Sequence, residues 1–478
     1  MPQKLIDILI GSTEWSSFET KRAAVQPRKL LETLCAFLNS EGGILVVGLE
    51  DHGKAKGKDR IFGISENEDN VSEFLKLWRN EFEPPVERFV SYYEEPVTNK
   101  FGKEDKLIII KISKSNDIHS LKNGDTFVRR GSQNCKIGSS EILRLRYERG
   151  SIKFEDELSS IESVEDLDHD LLETYKLDTN STSQDTWQFL KDNGLAKFVE
   201  GGKGQLTKAG VLLFGKNPSI LLSGKYGIKI SHYYGLKANF SGEPNFVKRP
   251  FTIEGPLIKQ IELAVNYFRD VVKTSPPKLS GSTFKPSLMI PEWVFQEAIT
   301  NAVVHRNYNV QNDIQVRFFD DRVEIESPGT YPGHITIKNI RNERFARNPI
   351  IVRTLNRFQS SPNLDIGEGV DRMFELMKKQ NLYQPIFFPP ESFPNSVMLT
   401  LPNLNKISYW DTISNYLDQN TEITNEKARE ITGIQDTLKM SRYLASWTEQ
   451  GLLEKHGIAK KSSSYAKPGG LTLESLLS

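Results

Sequence analysis

Three polar side chains stand at regular spacing in the largely apolar stretch PEWVFQEAITNAVVHRNY, residues 291–308. Glu297, Asn301 and His305 recur every fourth residue, so on a helix they share one face. A carboxylate and an amide one turn apart can serve as a water-activating base and a Mg2+ ligand beside a nucleotide. His305 continues the stripe as a third candidate for cofactor contact. The same pattern also fits a buried helix whose polar groups are satisfied by neighbouring backbone, because unpaired polar groups in an interior are costly. Further along, Asp365-Ile-Gly-Glu-Gly369 opens the helical pattern VDRMFELMKK. Gly367 and Gly369 there would let backbone N–H groups approach a phosphate. Between these stretches, residues 338–357 carry six basic side chains (Lys338, Arg341, Arg344, Arg347, Arg353 and Arg357) with Glu343 as the one acid. Such a run suits a triphosphate and equally suits a solvated basic loop. A second polar group stands near the N-terminus, where EWSSFETK brings Glu14, Glu19 and Lys21 together. An ordinary Glu19–Lys21 surface ion pair is the plain alternative there.

The elements that must position these groups follow from periodicity. Pro291 suits the first turn of a helix, having no N–H to donate, and Val294, Ala298, Ile299, Ala302 and Val303 recur at helical spacing behind it. IQVRFFDDRVEIESPG (314–329) reads as two alternating strands closed by a Pro-Gly turn. In residues 1–150, a helical pattern through Leu30, Leu34 and Phe37 stops at Asn39-Ser40-Glu41-Gly42-Gly43. ILVVGLEDHG then predicts a buried strand carrying Glu50 and Asp51 to its end. Leu107–Ile112 and Asp125–Ser132 predict two more strands, the latter with Arg129 and Arg130, in an α+β arrangement. Residues 151–204 read as a connector, since 155–170 hold eight acids and no Lys or Arg, as in a solvated helix or linker. A new unit spans 205–402. Residues 403–478 predict three short helices and a hairpin, with Leu438, Tyr443, Leu444 and Trp447 as core candidates.

Composition sets the outer limits. Lys+Arg and Asp+Glu both number 62 in 478 residues, enough chain for about three domains, and global charge does not speak for a polyanionic partner. Regional balances are as even: 24 basic to 23 acidic in residues 1–150, and nine to nine in 403–478. Phosphate contact must therefore rest on local groups such as Lys21, Arg22, Arg28, Lys29, Arg129 and Arg130. The two cysteines, Cys35 and Cys135, lack metal-site spacing and fit a reducing cytoplasm. The N-terminus shows no signal-peptide pattern, no apolar run has the length of a membrane span, and no G-x4-G-K-[ST] loop occurs.

Two resemblances organise these observations. E-x4-E-x-K, the CAFLNSEGGILVVGLEDHG block and FVRRGS resemble the Schlafen-type AlbA-like domain. That resemblance implies nucleic-acid contact, and it places acidic catalytic positions at Glu14, Glu19 and Glu50, with Lys21 beside the second. Glu50 stands where the Schlafen nucleases carry Asp. Such carboxylates could hold Mg2+ or Mn2+ through hard oxygen ligands and activate water on a phosphodiester. EAITNAVVHRNY, DRVEIESPG, RNPII and GEGVDRM resemble the GHKL ATP-binding fold, and more narrowly the C-terminal region of proteins labelled RecG-like. It implies an α/β sandwich in which Glu297 activates water and Asn301 binds Mg2+. Ser327 takes the place of the acid that bonds adenine, Gly329, Gly367 and Gly369 match the glycine turns, and Arg347 lies in the matching RNPII. The C-terminal spacing resembles a winged helix-turn-helix, with Lys439, Ser441 and Arg442 on the recognition helix and Lys460 and Lys461 on the wing. The expectation is an α+β multidomain, homo-oligomeric protein of the cytoplasm that binds ATP with Mg2+ and acts on DNA or RNA. Its output is either metal-dependent cleavage, in defence against foreign nucleic acid, or transcriptional regulation without cleavage.

Overall fold

The runs GILVV and LIIIKI, apolar but for Lys111, call for strands covered on both faces. In the computed structural model they are neighbours. Gly43–Val47 pairs antiparallel with Glu104–Ile112 and parallel with Phe18–Lys21, and Val90–Thr98 completes a four-stranded sheet beside Glu104–Ile112. Leu45, Val47, Ile108 and Ile110 turn toward the buried side of the helix Pro27–Leu38. Ile44, Val46, Leu107 and Ile109 turn the other way, into a second core with Leu9 and Phe18. The helix stops where the sequence says it should, and Asn39 does more than stop it. Its amide donates to the carbonyls of His119 (2.7 Å) and Phe127 (3.0 Å) and accepts from the His119 N–H (2.8 Å). The FVRRGS strand is the first arm of a hairpin, Thr126–Arg130 with Gln133–Ile137.

The structure describes residues 2–468 except 13, 275–277, 281–282, 286–287, 363–367, 391, 408 and 457–462. Two units emerge, Met1–Ser151 with Gly333–Thr336, and Ile152–Pro332 with Ile337–Gly470. Among the described residues no helix is long and apolar enough to cross a membrane.

The second unit is built on a six-stranded sheet. Its order is Phe246–Ile253, Ile228–Tyr233, Ile314–Phe318, Arg322–Pro328, Ser396–Pro402 and Ile386–Phe387. All neighbours run antiparallel except Ile228–Tyr233 with Ile314–Phe318. Ile314, Val316, Phe318, Val323 and Ile325 alternate into the core, as strands covered on one face require. The helices Leu257–Thr274 and Glu292–Val304 supply that cover, with Phe268 stacked on Phe295 at 4.5 Å and Phe318 at 5.8 Å from Phe295.

The acidic stretch read as a solvated connector supplies part of this core instead. Phe154, Leu167, Leu171, Leu172 and Tyr175 are all buried in it. Its carboxylates have partners: Asp168 caps the helix His169–Asp178, Glu157 pairs with Lys208 at 2.7 Å, and Glu155 is fully buried. Charge density along the sequence could not show that apolar residues interleaved with the acids face inward. GQLTKAGVLLFGKNP forms the helix Lys208–Phe214, capped by Thr207.

Near the C-terminus, Trp410–Leu417, Asn425–Thr432 and Thr437–Glu449 are helical. They pack beside a small antiparallel sheet of Ile423–Thr424, Ser464–Ala466 and Glu454–His456. Leu444 and Trp447 are core residues, as expected, and Tyr443 packs against them; Leu438 is not, being 70% exposed. It falls in the first turn of its helix, on the outer side, where spacing alone could not exclude it. The chain is thus α+β and multidomain.

Candidate functional site

A helix ends with carbonyls that no intrahelical N–H can reach. At the end of Glu292–Val304, five consecutive carbonyls each find a donor. Ser327 Oγ donates to Ala302 O at 2.8 Å, and the Tyr308 hydroxyl to Val303 O at 3.0 Å. Asn348 Nδ2 serves both Val304 O and Arg306 O at 2.9 Å, while Arg347 Nη1 donates to His305 O at 2.8 Å. Arg347 also binds Thr330 O at 2.6 Å and is buried. Ser327 and Arg347, matched by resemblance to ligand-contacting positions, therefore direct hydrogen bonds into the end of the helix. Gly329 belongs to the same clamp. Its φ is +107°, and a Cβ there would lie 2.5 Å from Asn307 Cβ. Asn348 was not singled out from sequence, because an Asn before Pro at a helix start reads as a local cap, yet it caps the end of a different helix.

This clamp holds the Glu297–Asn301 face in place. Asn301 Nδ2 donates to Glu297 Oε1 at 3.0 Å, which turns the amide oxygen of Asn301 away from that bond. Glu297 is 7% exposed, and burial pushes its carboxyl above the ordinary value, opposed by the Asn301 hydrogen bond and the positive charge of Arg372. Gly369, first residue of the helix Gly369–Lys379, lies directly against the carboxylate: a Cβ there would stand 1.8 Å from Glu297 Oε1. Arg372, one turn on, lies over the Trp293 ring at 4.7 Å. It too was missed, and its place three residues after Gly369 was the available signal. His305 sits at the cap, not one further turn along the open face. Its Nδ1 is buried without a partner among the described residues, and burial, then Arg347, lowers its pKa to about 4. Gly367 lies outside the described residues.

Most of the basic run is engaged with protein groups. Arg341 pairs with Asp371, Arg353 donates to Asn193 O at 2.5 Å, and Arg357 to Asn193 Oδ1 at 3.0 Å. Of the six, Arg347 is buried and the other five, Lys338 and Arg344 included, are exposed.

In the first unit, Glu19 is buried between Lys21 and Arg129, which bind its two oxygens. Arg129, named as a nucleic-acid contact, has a side chain only 1% exposed, and it also holds Asn134 Oδ1 at 2.8 Å and Trp15 O at 3.0 Å. It is an internal strut because the hairpin strand Thr126–Arg130 is buried through Arg129, leaving only Arg130 exposed. Arg130, next in the strand, is exposed and pairs with Glu141. Glu14 accepts from Thr20 N at 3.1 Å and Thr20 Oγ1 at 3.0 Å and lies 4.0 Å from Lys21 Nζ. Glu50 faces Arg22 at 3.4 Å and Lys54 at 3.8 Å. The resemblance's carboxylates thus each meet cationic or hydroxyl partners. Among the described residues, no three His, Cys, Asp or Glu side chains gather as metal ligands would.

Lys439, Ser441 and Arg442 are exposed on Thr437–Glu449, with Ser441 held by Asn425 at 2.9 Å. Lys460 and Lys461 lie outside the described residues.

Comparison with known proteins agrees with the order of the motifs. Residues 14–138 match the family model described as Schlafen, AlbA_2. Residues 311–401 match the one described as putative ATP-dependent DNA helicase recG C-terminal, a span that begins after the Glu297–Asn301 helix. No curated protein matches the chain. Among solved structures, the DIP2311 protein from Corynebacterium diphtheriae is 17% identical, over 98% of this chain and 97% of that one, with a TM-score of 0.41. The chain is therefore similar, in this order, to a Schlafen AlbA_2 region and a RecG C-terminal region, the succession its motifs implied.

Proposed function

We propose that this protein binds ATP with Mg2+ at the Glu297–Asn301 face and acts on nucleic acid. One observation carries the reading: the helix end is capped by protein groups, while among the described residues the side chains of Glu297 and Asn301 hydrogen-bond each other and meet the glycine start of Gly369–Lys379. An amide oxygen beside a carboxylate is a hard-oxygen donor set and fits Mg2+. Asn301 Oδ1 would hold the ion, which would neutralise phosphate charge when bound. Glu297, kept basic by burial, accepts the proton of the attacking water, and the N–H groups that open Gly369–Lys379 offer phosphate a favourable dipole. Titration calorimetry with ATP and Mg2+ tests this. Asn301→Ala should weaken binding at least tenfold, whereas Glu297→Gln should keep binding and lose turnover. Unchanged binding by Asn301→Ala refutes the assignment.

For the first unit, the ion pairs of Glu19 favour nucleic-acid binding without cleavage, as in a transcriptional regulator. The C-terminal helices would then act as a winged helix-turn-helix, presenting Lys439 and Arg442 to DNA. Incubation with RNA and DNA under Mn2+ or Mg2+ decides the point. Cleavage that disappears in Glu19→Ala would establish the nuclease reading instead. We place the protein in the cytoplasm, on the strength of its free cysteines and nucleic-acid-related regions, and as a homo-oligomer by analogy with GHKL proteins.

A further inference from the structure

The hairpin formed by Ile228–Tyr233 and Phe246–Ile253 departs from the even charge of the chain. Residues 228–253 hold four basic side chains (Lys229, Lys237, Lys248 and Arg249) against one acid, Glu243. They also expose aromatic surface: Phe240 is 93% exposed, Tyr234 62% and Phe251 40%. The connecting loop that carries Phe240 is internally built. Asn245 donates to Lys237 O at 2.9 Å, Asn239 donates to Glu243 O at 2.9 Å, and Asn239 N donates to Asn245 Oδ1 at 2.8 Å. Arg322 ties Leu236 O to the neighbouring hairpin at 2.9 Å. Beneath the loop, Phe246, Tyr233 and Phe319 form a ring ladder with centroid separations of 4.9 and 5.0 Å, closed by Arg322 at 4.1 Å. An apolar side chain held at the tip of such a loop exposes surface that folding alone would bury.

We propose that this hairpin is a binding surface for single-stranded nucleic acid, with Phe240, Tyr234 and Phe251 stacking on bases and Lys248 and Arg249 contacting phosphates. Exposed rings interleaved with cations are the means by which unpaired strands are held without sequence preference. The other natural occupant, a strand from a second copy added to the edge Phe246–Ile253, is disfavoured by the edge itself. That strand carries Lys248, Arg249 and Pro250 in succession, and its pairing register slips beside His232, features that block edge-to-edge pairing. The inference rests on the nucleic-acid reading above and names the surface that performs it.

The test is fluorescence anisotropy of the full chain with labelled 20-mers of thymidine and uridine, with a duplex of the same length as comparison. Phe240→Ala should weaken single-strand binding about 5- to 150-fold, the range for losing one stacked base. Lys248→Ala with Arg249→Ala should flatten the slope of log affinity against log salt by about 1.4. ATP binding by Phe240→Ala should match wild type. Wild-type binding that survives all three substitutions overturns this surface and leaves the nucleic-acid reading standing; no binding by wild type overturns both. Equal affinity for duplex, or self-association in sedimentation abolished by Phe240→Ala, also overturns it.

Discussion

Arg347→Ala separates a clamp from a ligand. In the structure Arg347 supplies the donors for His305 O and Thr330 O from a buried position. Removing it leaves two acceptors in the interior, each costing about 1–3 kcal/mol, so about 2–6 kcal/mol in total. At about 2 °C per kcal/mol for a unit of this size, the melting temperature should fall by roughly 4–12 °C. A second readout is independent of unfolding. His305 has a pKa lowered to about 4 by burial and by the Arg347 charge. Without Arg347 the second cause vanishes, so the His305 pKa should rise while staying below its ordinary 6.5. The sign also reaches stability. A depressed histidine stabilises the fold above pH 6.5, and that contribution is lost as pH falls toward 4. The variant should therefore lose less stability on acidification than wild type. Differential scanning calorimetry and proton NMR of the imidazole measure these effects, and ATP calorimetry below the new melting temperature completes the set, with affinity expected within about threefold. Loss of ATP affinity by 100-fold, about 2.7 kcal/mol, at an unchanged melting temperature would show that Arg347 binds phosphate and that the clamp is misassigned.

Two other perturbations probe the same architecture. Glu155 accepts from Ile350 N and Ile351 N at 2.9 Å, and burial pushes its carboxyl to about 7. Because that pKa is raised, the stability it confers is complete below pH 4.5 and lost as pH rises to 7, about 3 kcal/mol in all. Glu155→Gln should thus improve relative to wild type between pH 5 and 8 in chemical denaturation. A variant that instead fares worse at pH 8 would show that the helix N-terminus holds the carboxylate ionised. Gly369→Ala places a methyl where Glu297 Oε1 now lies and should lower ATP turnover at least tenfold. Stability should change by about 1 kcal/mol or less, since alanine favours the helix and the carboxylate can swing aside. Undiminished turnover would remove Glu297 from the role of base.

Periodicity alone placed Glu297 and Asn301 on one face of a helix and located the strands Gly43–Val47, Glu104–Ile112, Ile314–Phe318 and Arg322–Pro328, while the motifs set the two family-like regions in order. Those features depend on near neighbours in the chain, whose geometry repeats every two or 3.6 residues. What Ser327, Arg347 and Arg129 do depends on which distant carbonyl or carboxylate arrives beside them, and only the tertiary structure decided that. Arg129 meets Glu19 across 110 positions, and Arg347 reaches His305 across 42. The acidic run at 155–170 makes the same point in reverse. Its charges are visible in the sequence, but the buried helix start that Glu155 serves lies 195 residues away, and no local pattern announces it.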